Sequence, residues 1–219
     1  MQNVRSIYPE PRAYLIDPHT GGLHGATGKY QKRLADLRGV YADTDAFEAA
    51  CQQHTNAVVY EVCDQRPVAH TGDLIFGVTL MQPGRIGAEF YVTRGHIHAI
   101  ANRPETYYGE RGYGLLLLES PEGDFRILEI RPHVLCYVPP FWIHRSVNVG
   151  SEPFVMSFCY PSDSGQDYDI IARSGGMRSR IVVSDAGGWR EVPNANYRPR
   201  TPAEIAHVLQ TADAAPEAL

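Results

Sequence analysis

At 219 residues, with 43% hydrophobic and 21% charged side chains, the chain is long enough for one domain with a sizeable core and too apolar to be disordered. A formal charge of -5 offers no basic footprint for nucleic acid, and no apolar run approaches the ~18 residues of a membrane span. The opening MQNVRSIYPEPRAY lacks the basic start and apolar run of a secretory signal, so a cytoplasmic protein is expected, and Cys51, Cys63, Cys136 and Cys159, without CxxC spacing, read as separate reduced thiols.

Residues 1–28, rich in Pro, Gly, Asp and Tyr and without a sustained period, read as an extended arm of the kind that serves a dimer. Lys29–Leu37 and Thr44–Gln53 are the helical candidates of the N-terminal part, the second capped by Asp43 or Thr44. From Asn56 the texture changes to runs of strand length: NAVVYEVC, DLIFGVTLM, AEFYVTRGHIH, ETYYGE, YGLLLLES, FRILEI, HVLCYVP, HRSVNV and EPFVMSFCY. PEGD at 121–124 reads as a hairpin turn, and Gly150–Pro153 is expected to divide the next pair of strands in the same way. Beyond Tyr160 follow a helical turn around Asp167–Ala172, one further strand, RIVVS, and an amphipathic helix over Pro202–Thr211. Eight or nine short strands without long helices between them predict an all-β antiparallel barrel or double-sheet jelly roll, with the arm and a few short helices at its periphery. The expected divisions are an arm with short helices over 1–55, a barrel over 56–185 and an extension over 186–219, together one structural domain.

His96 and His98, one residue apart, share a face if the segment is an extended strand, so their imidazoles can converge on one point. Glu105 follows on the next strand candidate, and His144 sits in the aromatic-rich stretch PPFWIHRSVN. Three imidazoles and a carboxylate suit a first-row divalent ion held with open positions for substrate. Strand alternation turns Tyr107 to the same side as Glu105 and Tyr108 to the other.

HxH, then Glu105 and Gly112, then a Pro-rich turn leading to His144 and Asn148, resembles the two cupin motifs, with Phe141 standing where the second motif usually has Gly. The wording GHIHA, RPETYYGERGYG, LLLLESPEGD, YVPPFWIHRSVN and YPSDSGQDY is similar to the cupin-type glucose-6-phosphate isomerases of archaea and some bacteria, over about residues 20 to 185. The resemblance implies a double-stranded β-helix barrel and a homodimeric aldose–ketose isomerase acting on glucose 6-phosphate and fructose 6-phosphate. It implies one divalent metal per subunit on His96, His98, Glu105 and His144. Fe²⁺ stands first among the metals, and Mn²⁺, Ni²⁺ and Zn²⁺ accept the same ligation. Substrate contacts carried over fall on Thr79, Thr93 and Gly95 toward the phosphate and on Tyr60, Tyr107, Tyr160 and Tyr168 along the barrel. Gln166 replaces a histidine of the family pattern, so a proton-transfer role for that imidazole does not carry over. Glu105, ahead of Tyr107, is the candidate for moving the proton between C1 and C2 through a metal-stabilised enediolate. Rival readings from the metal set are another sugar-phosphate enzyme such as a mannose-6-phosphate isomerase, a non-haem iron dioxygenase, or a non-catalytic sugar-binding cupin. No phosphate-binding glycine loop and no lysine marks the phosphate end.

Overall fold

The computed structural model describes residues 10–67 and 72–213. A two-stranded ribbon, β1 (Ile16–Asp17) and β2 (Gly22–Leu23), precedes β3 (Gly28–Arg33), a 3-10 turn over Leu34–Leu37 and helix α1 (Thr44–Gln53). The barrel strands follow as β4 (Val58–Gln65), β5 (Leu74–Met81), β6 (Arg85–Ile86), β7 (Glu89–Phe90), β8 (Glu105–Arg111), β9 (Gly114–Glu119), β10 (Phe125–Ile130), β11 (Leu135–Val138), β12 (Ile143–Asn148) and β13 (Phe154–Pro161). Helix α2 (Asp169–Arg173), strands β14 (Ser179–Val183) and β15 (Trp189–Pro193) and helix α3 (Pro202–Gln210) complete the described chain.

Six strands pair in the order β11-β8-β13-β5-β4-β3, and three in the order β10-β9-β12; a four-stranded sheet of shorter strands, β15-β14-β7-β6, is separate from them. The six- and three-stranded sheets face one another across a core that includes Leu115, Leu116, Phe154, Met156 and Ile130, each at most 1% exposed. This is the double-sheet β-barrel expected from the sequence. All six residues of β9 and all six of β12 are buried, which happens when a strand is covered on both faces. The PEGD hairpin forms between β9 and β10: Ser120 N–H donates to Asp124 O at 2.9 Å, and Gly123 takes φ +95. Helix α1 is capped by the Asp43 carboxylate, which accepts from Ala46 N–H at 2.8 Å, and α3 opens on a Thr201/Glu204 capping box with Pro202 in its first turn.

Four expectations are corrected. Lys29–Leu37 is not a helix: its first part lies within β3, which β4 recruits onto the barrel sheet with Lys29 Nζ 2.8 Å from Glu61 Oε1, and a 3-10 turn follows. A cross-strand ladder outweighs the small helix preference of such a short stretch. AEFYVTRGHIH is not one strand either. After β7 the chain is irregular, because Gly95 takes φ +73 and the segment changes partners, His96 bridging to His144 and Ile97 to Asp167. Gly150–Pro153 joins no hairpin, since β12 pairs with β9 while β13 pairs with β5 and β8 in the opposite sheet. A strand not anticipated, β15, pairs with β14. Phe141 adopts φ +71, the left-handed conformation that explains why a glycine is usual at that place in the motif; its N–H donates to Ala101 O at 2.7 Å.

The C-terminal part is fastened to the core at Glu119, which is fully buried at the end of β9. Its carboxylate accepts from Arg178 N–H at 2.6 Å, Arg200 Nη1 at 2.6 Å and Tyr197 O–H at 3.3 Å. No helix among the described residues is long and apolar enough to cross a membrane, and all four cysteines are free thiols.

Candidate active site

The site lies between the six- and three-stranded sheets, and each contributes to it. Strand β12 carries His144, and the bridged segment beside it carries His96 and His98. Strand β8, in the six-stranded sheet, carries Glu105 and Tyr107, both buried, with Tyr108 turned outward to His133. His96 and His144 hold each other by a reciprocal pair of backbone hydrogen bonds, 3.0 and 2.9 Å. One ligand atom from each of His96, His98, Glu105 and His144 lies within 4.8 Å of all the others, and all four residues are buried. This convergence does not need the regular strand expected for the HxH pair, because local extension about the bridge aims both rings inward.

Hydrogen bonding tests whether these groups suit a cation. His98 Nδ1 is 2.7 Å from Arg103 O and His144 Nδ1 is 3.0 Å from Trp142 O. A carbonyl can only accept, so both rings carry their proton on Nδ1 and turn an Nε2 lone pair inward. His144 Nε2 then meets Glu105 Oε2 at 2.9 Å, and His98 Nε2 lies 3.3 Å from the same oxygen with no hydrogen-bond partner. Lone pairs aimed at a carboxylate inside a protein repel unless a second proton or a cation stands among them. Burial, and after it the neighbouring His144, push His96 well below its ordinary range, so it is neutral as a metal ligand must be. Burial alone would raise Glu105, but its contacts with His144 and His98 hold it well below the usual carboxylate range. The donor set therefore fits a divalent ion.

Above these four groups the cavity is walled by Tyr60, Thr79, Thr93, Gly95, Tyr107, Tyr160, Gln166 and Tyr168, which are all of the other residues singled out from the sequence. Burial and then the Glu105 charge push the Tyr107 phenol well above its ordinary value, so it stays protonated. Burial likewise raises Tyr60 to about 12. Gln166 Nε2 stands 3.3 Å from His96 Nε2, and the Tyr168 hydroxyl donates to Gln166 Oε1. Thr93 Oγ1 accepts from Ser146 N–H at 3.0 Å. His98 reaches the cluster from behind and lines a second cavity instead.

Several lining residues were not anticipated. Tyr30 was missed because its strand was read as a helix. Arg66 reaches the cavity from just past β4, held by Asp64 at 2.7 Å. Arg145 matters most: it is buried, it lines the cavity beside Thr93, Gly95 and Ser146, and its Nη2 donates to Arg94 O at 2.6 Å while its Nε has no partner. Burial lowers its pKa to about 10, which leaves it cationic at neutral pH. Simple alternation on β12 sets Arg145 against His144, and that hid it.

A family model described as glucose-6-phosphate isomerase matches residues 31–200, more than half of the chain. The chain belongs to the glucose-6-phosphate isomerase family. A glucose-6-phosphate isomerase of Sinorhizobium medicae is 57% identical over 197 residues, covering 90% of this chain and 92% of that protein. The glucose-6-phosphate isomerase of Pyrococcus furiosus is 39% identical over 192 residues, 88% of this chain and 100% of that protein. Among solved structures, an oxalate oxidase in complex with glycolate aligns over 50% of this chain and 55% of that one, with 15% identity and a TM-score of 0.43. Within the isomerase family match fall all four metal-fitting residues, whereas α3 lies just beyond its end.

Proposed function

We propose that this protein interconverts glucose 6-phosphate and fructose 6-phosphate as a metal-dependent, cytoplasmic homodimer. The observation that carries the reading is the convergence of His96, His98, Glu105 and His144, three of which (His96, Glu105 and His144) line the floor of a cavity walled by polar and aromatic side chains, in a chain of this family. A divalent ion on those four residues, Fe²⁺ first among the candidates, would supply Lewis acidity toward the adjacent sugar oxygens at C1 and C2.

The remaining chemistry belongs to the chain. Aldose-to-ketose conversion takes a proton from C2, returns one to C1, and moves the hydroxyl proton from O2 to O1. The ionised Glu105 carboxylate is the acceptor for the carbon-bound proton. Tyr107, next inward residue on β8, is a buried phenol that remains a hydrogen-bond donor and lies close enough to Glu105 to steady it or to carry the oxygen-bound proton. Arg145 supplies the cation at the phosphate end, where no lysine stands, with Thr79, Thr93 and the Gly95 N–H beside it. Tyr60, Tyr160 and Tyr168 shape the sugar channel, and enclosure by their rings keeps bulk water from the reacting carbons.

A coupled assay on fructose 6-phosphate tests the reading. Metal-stripped protein is expected to be inactive and to recover turnover of at least ~1 s⁻¹ when one of Fe²⁺, Mn²⁺, Ni²⁺ or Zn²⁺ is restored. Inactivity with every ion would reject it, and a monomer mass at micromolar concentration would reject the dimer.

A further inference from the structure

Residues 166–169 run beside the HxH segment and are joined to it through the main chain. Ile97 N–H donates to Asp167 O at 3.3 Å, and Asp167 N–H returns to Ile97 O at 2.9 Å. These bonds fix the backbone but leave open where the side chains of Gln166 and Tyr168 point. Both side chains line the active-site cavity, and both are half-buried.

Arg94, whose side chain has had no role so far, closes that freedom. Its Cζ stands 5.2 Å over the centre of the Tyr168 ring, and its Nη2 lies 2.7 Å from Asp169 Oδ1 at the start of α2. The His96 ring meets the same tyrosine, with centres 5.6 Å apart. The Arg94 and Asp169 side chains are 39% and 67% exposed, so their pairing adds little to folding, yet a cation over the ring restricts where Tyr168 can lie. The Tyr168 hydroxyl then donates to Gln166 Oε1. An amide whose oxygen is engaged on one side presents its N–H groups on the other, and Gln166 Nε2 is 3.3 Å from His96 Nε2, itself 3.8 Å from Glu105 Oε2. The lone pair of a metal-binding imidazole tolerates an N–H beside it and repels a carbonyl oxygen, so both ends of the amide favour the same orientation.

We propose that Arg94 is a positioning residue of the isomerase site: through the Tyr168 ring it holds the Gln166 amide with an N–H toward the sugar oxygens at C1 and C2. Negative charge gathers on those oxygens during isomerisation, so a donor fixed there acts on the transition state more than on the bound sugar. The inference rests on the function proposed above. It asks only for an N–H at position 166, which an imidazole also carries. The main chain of Arg94 serves the other end of the cavity independently, its carbonyl accepting from Arg145 Nη2 at 2.6 Å, and a change of side chain leaves that bond available.

Steady-state kinetics with fructose 6-phosphate test the proposal on Arg94→Met, Arg94→Lys, Gln166→Met and the double variant Arg94→Met/Gln166→Met. Both single methionine variants should lose about tenfold in kcat, with KM within about twofold and metal content unchanged. The double variant should be no slower than the slower single one, because each change removes the same contact. The Arg94 contacts are one nitrogen on one carboxylate oxygen and a cation over a ring, which an ammonium also makes, so Arg94→Lys should recover kcat to within about threefold of wild type. The second readout is the side-chain amide signal of Gln166 in nitrogen–proton correlation spectra, assigned by its absence from Gln166→Met. It should move in Arg94→Met and return in Arg94→Lys. An unchanged kcat or a loss of metal in Arg94→Met, losses that multiply in the double variant, or an unmoved amide signal would overturn the proposal. Should the wild type not turn over fructose 6-phosphate at all, the isomerase assignment falls, while the amide signal still decides whether Arg94 positions Gln166.

Discussion

Asp163→Asn is expected to weaken metal binding although Asp163 touches no ligand. Asp163 grips Arg103 by both carboxylate oxygens, at 2.9 Å from Nε and 2.8 Å from Nη2, and the carbonyl of the same Arg103 holds His98 Nδ1 at 2.7 Å. The two side chains are 25% and 9% exposed, so water screens the pair in part and its loss is worth about 1 kcal/mol rather than the larger figure of a fully buried fork. In a chain of this size that lowers the melting temperature by about 2–4 °C. Releasing the carbonyl that orients a metal-binding imidazole typically costs about 10–100-fold in affinity. The hydrogen bonds from Arg103 hold Asp163 below its ordinary pKa of 3.8. Its contribution is therefore complete above that value and vanishes as pH falls through the folded-state value, so the melting gap between wild type and variant should close in acid. Competition against a calibrated chelator at neutral pH measures the affinity. A variant binding metal within twofold of wild type would show that Arg103 positions His98 without help from Asp163.

His144→Ala removes one ligand and one of the two backbone-fixed lone pairs facing Glu105, so elemental analysis should find metal content sharply lowered, and chelation of the wild type should lower its melting temperature. Tyr107→Phe keeps the ring and drops the hydroxyl; kcat for fructose 6-phosphate should fall about 10²–10⁴-fold with metal content unchanged, and an unaltered kcat would remove Tyr107 from proton transfer. Arg145→Lys exchanges a forked cation for a point charge at the phosphate end, so steady-state kinetics should show KM rising more than kcat falls. Gln166→His puts a further imidazole beside His96, and kcat should change little if the wild type already turns over without it.

The parts of the site that follow from strand alternation and short-range spacing were readable before any coordinates. Glu105 and Tyr107 share the inner face of β8 because side chains two apart always do, and the His96/His98 pair converges for the same local reason. What depends on partners distant in sequence was not readable. Lys29–Arg33 became a strand because β4 offered an unpaired edge, and that placed Tyr30 at the cavity. Arg145 was hidden because β12 is covered on both faces, where alternation ceases to separate inside from outside. The carbonyls of Arg103 and Trp142 that fix the imidazole tautomers belong to loop geometry, which residue identity does not encode.

The buried Glu119 bears on how this chain can change over evolutionary time. A carboxylate sealed in the core by Arg178, Tyr197 and Arg200 makes the end of β9 dependent on residues some sixty to eighty positions later. Deleting that stretch, or replacing Arg200 by a neutral residue, would strand a charge in the interior at a cost of roughly 3–5 kcal/mol, a large share of the stability of any single domain. Loss of the strap is therefore accessible only after position 119 has become uncharged. Position 119, in turn, can lose its charge cheaply only once the arginine has gone. The two positions constrain each other, so a descendant lacking one charge should lack the other.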